Sequence, residues 1–120
     1  MVVAYDGGVH ATRALQLFQA LGLDMSCDVH VVCVDSRQEQ AARCAEYAVA
    51  FLRAHKIDAQ PHAVATSAPP AHVILEQAHK LQATLIVMGA YGRSTLREFS
   101  GVSLTHTLLQ DSPVPLFMYH

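Results

Sequence analysis

Two glycine turns contain the residues of this sequence that are best suited to binding an anion. Residues 6–8 read Asp-Gly-Gly, and residues 89–92 read Gly-Ala-Tyr-Gly. Each turn follows a short apolar run that is typical of a buried strand. Glycine lets backbone N–H groups approach a ligand, and a helix that begins after the turn adds unpaired donors and a positive dipole end. The two turns therefore predict an anion site, but a strand-to-helix turn can also require glycine for its own geometry alone.

The motifs of common catalytic sites are not found. No glycine loop precedes a Lys-Ser or Lys-Thr pair, and no Gly-x-Gly-x-x-Gly follows the first apolar run. Ser94, Ser103 and His106 are a conceivable nucleophile and base, but no Gly-x-Ser-x-Gly elbow is present. We therefore predict no catalytic residue.

The eight histidines are scattered along the chain. His72 and His79 share one face of a predicted helix and could bind a metal together with His62. Solvated histidines beside an apolar helix stripe are the more common arrangement, so we predict no metal site.

Composition limits the class of protein. With 120 residues, 52% hydrophobic residues, 15% charged residues and a net charge of −2, the chain is expected to form one domain, residues 1–120. It has no basic stripe and no apolar run of membrane-spanning length, so neither nucleic acid nor a membrane is an expected partner. The three cysteines lack Cys-x-x-Cys spacing, which favours the reducing cytoplasm.

Hydrophobic periodicity predicts alternating strands and helices. Strands are predicted over residues 2–5, 29–34, 59–65, 84–88 and 114–119, and helices over about 11–21, 41–52, 71–81 and 102–110. This alternation predicts an α/β fold in which helices cover both faces of a parallel sheet.

The prolines predict the order of the strands. Proline removes a hydrogen-bond donor from a sheet and is confined to edges, strand starts or bulges. Pro61 is in the third strand, and Pro113 and Pro115 lie at the start of the fifth. The order 3-2-1-4-5 places both strands at edges, whereas the order 2-1-3-4-5 would bury Pro61. In the first order the winding reverses between strands one and four, where ligands usually bind, and both glycine turns meet at that point.

The sequence resembles the universal stress protein family over nearly its whole length. The resemblance rests on residues 2–8, on Val-Met-Gly-Ala-Tyr-Gly-Arg-Ser at 87–94, on Leu-Arg-Glu-Phe at 96–99 and on Ser-Pro-Val-Pro-Leu at 112–116. It implies an adenine nucleotide alpha hydrolase-like fold with the strand order 3-2-1-4-5.

The resemblance also implies a set of residues that bind ATP or another adenine nucleotide. By this comparison, Asp6 faces the adenosine part and Val34 lines the adenine. Gly89, Gly92 and Ser103 hold the phosphates.

The sequence departs from the family's pattern at three positions. Val102 stands where ATP-binding members have a third motif glycine, which implies weakened ATP binding. Ala68 stands where the family often has glycine, and the bulky Tyr5 precedes Asp6.

Two functions follow from the resemblance. The first is a cytoplasmic stress-response or signalling module that binds nucleotide and has at most weak ATP hydrolysis. The alternative is a dimerisation or interaction domain of the same fold that binds no nucleotide. In both cases we expect a homodimer through the last strand, residues 114–119, or an equivalent contact with a sister domain in a tandem protein, because relatives pair this strand across a two-fold axis.

Overall fold

Strands and helices alternate along the chain. The computed structural model describes residues 1–22, 28–89 and 111–119. The elements in these ranges are β1 (Val2–Ala4), α1 (Val9–Ala20), β2 (Val29–Asp35), α2 (Gln38–Ala54), β3 (Ala59–Ala65), α3 (Pro70–Lys80), β4 (Ile86–Gly89) and β5 (Leu116–Tyr119). The predicted helix over residues 102–110 lies outside the described residues.

The five strands form one sheet in the order β3-β2-β1-β4-β5, and every neighbouring pair is parallel. This confirms the predicted α/β fold and its strand order. Pro61 pairs with Val31 from the edge strand β3, where its missing N–H removes the fewest sheet hydrogen bonds.

Four strands differ in extent from the prediction. β2 ends at Asp35, one residue late. β1 ends at Ala4, one residue early, and β4 begins at Ile86 and includes Gly89. β5 begins at Leu116, two residues later than predicted. Pro115, directly before β5, has no N–H to donate, although its carbonyl accepts the Ile86 N–H at 3.0 Å.

The alternation of side chains along the strands divides the core between the two faces of the sheet. One face packs against α1 and α2, and the other packs against α3. The first core includes Val3, Val31, Val87, Leu15, Phe18 and Leu52, and the second includes Val2, Ala4, Val32, Ile86, Ala71 and Ile74. Among the described residues, no helix has both the length and the apolar character needed to cross a membrane.

Candidate functional site

The turn after β1 is built around the Asp6 carboxylate. Asp6 Oδ1 accepts the Gly8 N–H at 2.7 Å, which closes a local turn of the kind that Asp commonly forms. Gly7, between them, has φ +81°, a backbone conformation that L residues with a side chain rarely adopt. Gly8 is the N-cap of α1 and supplies no capping side chain. Gly7 is therefore required by the turn itself.

The first turn of α1 is electrically suited to an anion. Its leading N–H groups have no partner within the helix, and no acidic residue lies in its first turn. His10, the second residue of α1, has a buried Nδ1 atom without a hydrogen-bond partner, and no other buried side-chain nitrogen or oxygen of the described residues is in that state. Unsatisfied buried polar groups are rare in native proteins, and a bound water or ion is one explanation for such a group.

Three of the predicted site residues lie at one edge of the sheet. Ala4 pairs with Val32 on one side and with Met88 on the other. Asp6 and Val34 therefore follow two residues further along adjacent strands, and Gly89 follows one residue beyond Met88. Because the winding reverses between β1 and β4, this is the edge where a ligand crevice is expected.

Among the predicted site residues, Val34 is described by the structure and some others are not. Val34 is half-buried and packs against the core that includes α3. Gly92 and Ser103 lie outside the described residues, as does Val102.

Tyr5 does not share the face on which Val34 packs. Its ring is buried in the core formed with α1 and α2. Its hydroxyl is 3.2 Å from Thr12 Oγ1, and its ring stacks on Tyr47 at a centroid distance of 6.1 Å. Burial raises the pKa of Tyr5, and the hydrogen bond with Thr12 partly offsets that rise. Tyr5 is thus a neutral anchor that fixes the end of β1 to α1 and α2.

Two cysteines lie behind the same turn. A Cβ atom added to Gly7 would be 3.5 Å from Cys44 Sγ, so α2 packs directly against the turn. Cys33 is buried, and this burial raises the pKa of its thiol far above the usual range. Cys33 therefore behaves as a small unreactive core residue. Sequence reasoning missed the support that Thr12, Cys44 and Tyr47 give the turn, because these contacts join separate elements and leave no motif.

An open cavity of about 530 Å³ lies elsewhere, at the end of α3. It is lined by Ala78, His79, Lys80, Gln82, Ala83, Pro113 and Val114. α3 ends there and the chain leads into β4, so the cavity lies toward the edge of the sheet opposite to Asp6.

The family comparison agrees with this geometry. The model of the universal stress protein family matches residues 1–120. The chain belongs to the universal stress protein family. No curated protein matches the chain significantly.

Solved universal stress proteins share the fold. A protein from Archaeoglobus fulgidus, solved in complex with dAMP, is 19% identical with a TM-score of 0.76, over 99% of this chain and 95% of that one. A universal stress protein in complex with cAMP is 20% identical with a TM-score of 0.79, over 99% of this chain and 94% of that one. Another Archaeoglobus fulgidus universal stress protein is 26% identical with a TM-score of 0.76, and this chain matches only 42% of its length.

The left-handed turn at Gly7 predicts a specific cost of substitution. Gly7→Ala should lower the free energy of unfolding by about 1–2 kcal/mol, because the added Cβ strains this backbone conformation. Gly22→Ala is the matched control, since Gly22 has φ +65° and open space around it. Urea denaturation should show similar losses for both, and a smaller loss for Gly7→Asn, because Asn tolerates this conformation. An unchanged stability of Gly7→Ala would contradict the turn geometry.

Proposed function

We propose that this protein is a stress-response module that binds an adenine nucleotide at the carboxyl edge of its sheet, between β1 and β4. The observation that carries the proposal is the placement of Asp6, Val34 and Gly89 at the ends of three neighbouring strands, at the point where the winding reverses. The buried, unpartnered Nδ1 of His10 at the start of α1 adds a polar atom near this edge that a ligand or its bound water can satisfy.

Each residue has a proposed role. Asp6 accepts hydrogen bonds from the adenosine part. Among the described contacts of Asp6, only Oδ1 takes part in the turn, so the carboxylate can accept further hydrogen bonds. Val34 provides a half-buried apolar surface for the adenine. Gly89, Gly92 and Ser103 hold the phosphates, as the family resemblance implies.

Val102 determines which nucleotides bind well. A hydrogen bond to a charged group contributes about 1.5–3 kcal/mol, so losing one or two phosphate donors weakens binding about tenfold to several-hundredfold. A nucleotide with fewer phosphates relies less on these donors, so its affinity is weakened least by Val102 in place of glycine. The dAMP and cAMP complexes of two structural neighbours are consistent with a monophosphate ligand.

We propose no catalytic residue for the module and place it in the cytoplasm. At most, weak ATP hydrolysis is expected. The cysteine pattern supports a reducing compartment, since the three cysteines lack Cys-x-x-Cys spacing.

A homodimer is the second part of the proposal. β5 is the edge strand of the sheet, and one side of its backbone has no strand partner among the described residues. An uncovered edge is an aggregation hazard. Leu116 and Phe117 are only half-buried and pack partly against the two cores. In the alternative function, in which the crevice binds no nucleotide, the contact between two copies through β5 is the main function of the protein.

The nucleotide proposal is tested by isothermal titration of AMP, ADP and ATP against wild-type protein, Asp6→Asn and Asp58→Asn. The amide of the Asp6→Asn variant keeps an oxygen for the Gly8 N–H but removes the charge, so this variant should bind about tenfold or more weakly. Asp58 is exposed near the opposite edge of the sheet, so Asp58→Asn should bind like the wild type. Equal affinity in all three proteins would contradict the assigned site.

A second titration tests the phosphate-binding loop. Val102→Gly restores the third motif glycine, so it should tighten ATP binding about tenfold or more while changing AMP binding less. Unchanged or weaker ATP affinity in this variant would refute the role proposed for residue 102.

Sedimentation velocity tests the dimer. Wild-type protein should sediment as a dimer at micromolar concentration, and hydrogen exchange of the β5 amides should slow as concentration rises. Phe117→Lys should give monomers or insoluble protein, because it places a charge in the contact. A wild-type monomer with rapidly exchanging β5 amides would be incompatible with this assembly.

A further inference from the structure

Two histidine rings meet across the strands β2 and β3. His30 Nδ1 and His62 Nε2 are 2.9 Å apart, and the ring centroids are 5.0 Å apart with an interplanar angle of 52°. His30 pairs with Gln60, so His62 is two residues further along β3 on the same face of the sheet. Both side chains are half-buried, which holds the rings in place but leaves solvent access.

The contact between the two rings requires that only one of the two facing nitrogens carries a hydrogen. In a neutral imidazole one nitrogen carries a hydrogen and the other carries a lone pair. At 2.9 Å the two facing nitrogens can share one proton, but two protons would repel each other. A divalent cation that accepts both lone pairs can replace that proton, with the remaining hydrogen of each ring on its outer nitrogen.

The separation of the two nitrogens selects the kind of cation. With metal–nitrogen bonds of about 2.0–2.1 Å, a spacing near 2.9 Å gives an angle of about 90° at the metal, whereas a tetrahedral metal needs about 3.3 Å. Ions with right-angle coordination by imidazole include Cu²⁺ in tetragonal sites and six-coordinate Ni²⁺. Both rings would turn on binding, so that their lone pairs point toward the metal rather than along the line between the two nitrogens.

We propose that His30 and His62 form a two-imidazole binding site for a divalent transition cation with right-angle coordination, of the Ni²⁺ or Cu²⁺ type. Water completes the coordination, since the described residues include no group of three or more His, Cys, Asp or Glu side chains able to hold a metal. The sequence suggested His62 only as a partner of histidines on α3, and the structure gives it a different partner.

Such a cation would strengthen one edge of the sheet. β3 is an edge strand, and Pro61, directly before His62, gives no N–H to the ladder. A metal that joins His62 to His30 links this strand to β2. Because the cation binds only the folded arrangement of the two rings, it should raise the free energy of unfolding, and with it the melting temperature, once its concentration exceeds its dissociation constant.

Titration with Ni²⁺ tests the site, and Ni²⁺ is preferred to Cu²⁺ because cysteine thiols reduce copper. Wild-type protein should bind one Ni²⁺ at the histidine pair. His30→Gln and His62→Gln should each weaken that binding at least about tenfold, since loss of a direct ligand costs no less than loss of its supporting contacts. His72→Gln removes an exposed histidine from α3 and should leave the affinity unchanged.

A measurement on the wild type keeps the test valid even if a variant folds poorly. Paramagnetic Ni²⁺ should broaden the ring signals of His30 and His62 in NMR spectra before those of His72 and His79. Broadening that begins at the α3 histidines, or equal Ni²⁺ affinity in wild-type protein and folded His62→Gln, would overturn the site. Tighter binding of Zn²⁺ than of Ni²⁺ would overturn the right-angle geometry.

Discussion

β1 lies between β2 and β4 with all three strands parallel, and the placement of Asp6, Val34 and Gly89 depends on this pairing. Parallel strands direct their carboxyl ends to one edge. In this strand order the winding reverses between β1 and β4, and a reversal of that kind opens a crevice at the carboxyl edge. Residues distant in sequence, such as Asp6 and Gly89, thereby come to the same edge of the sheet.

Among the described residues, the turn that presents Asp6 is held by neutral packing rather than by ion pairs. Tyr5 is buried beneath it, and Cys44 packs against Gly7. A rigid backbone of this kind lets a short carboxylate keep its position without a charged partner. The two ion pairs found among the described residues are Arg37 with Asp35 and Lys80 with Glu76, and both involve exposed side chains that stabilise little.

Much of the fold could be predicted from local patterns. The strand order followed from Pro61 and the later prolines, because a missing N–H restricts a strand whatever its neighbours are. Strand ends were less predictable: β4 includes Gly89, since the ladder with β5 continues through it. The orientation of Tyr5 and the contact between His30 and His62 depend on strand register and on packing between elements, and a single sequence carries no direct signal for either.

The most direct test of the proposed nucleotide site is an NMR titration of isotope-labelled protein with AMP, followed through the backbone amide signals. A nucleotide between β1 and β4 should shift the amides of Asp6, Gly7, Gly8 and Gly89 most, together with that of Val34. Shifts confined to the cavity at the end of α3, around Lys80 and Ala83, would show that the nucleotide binds elsewhere, and would contradict the role assigned to the edge between β1 and β4.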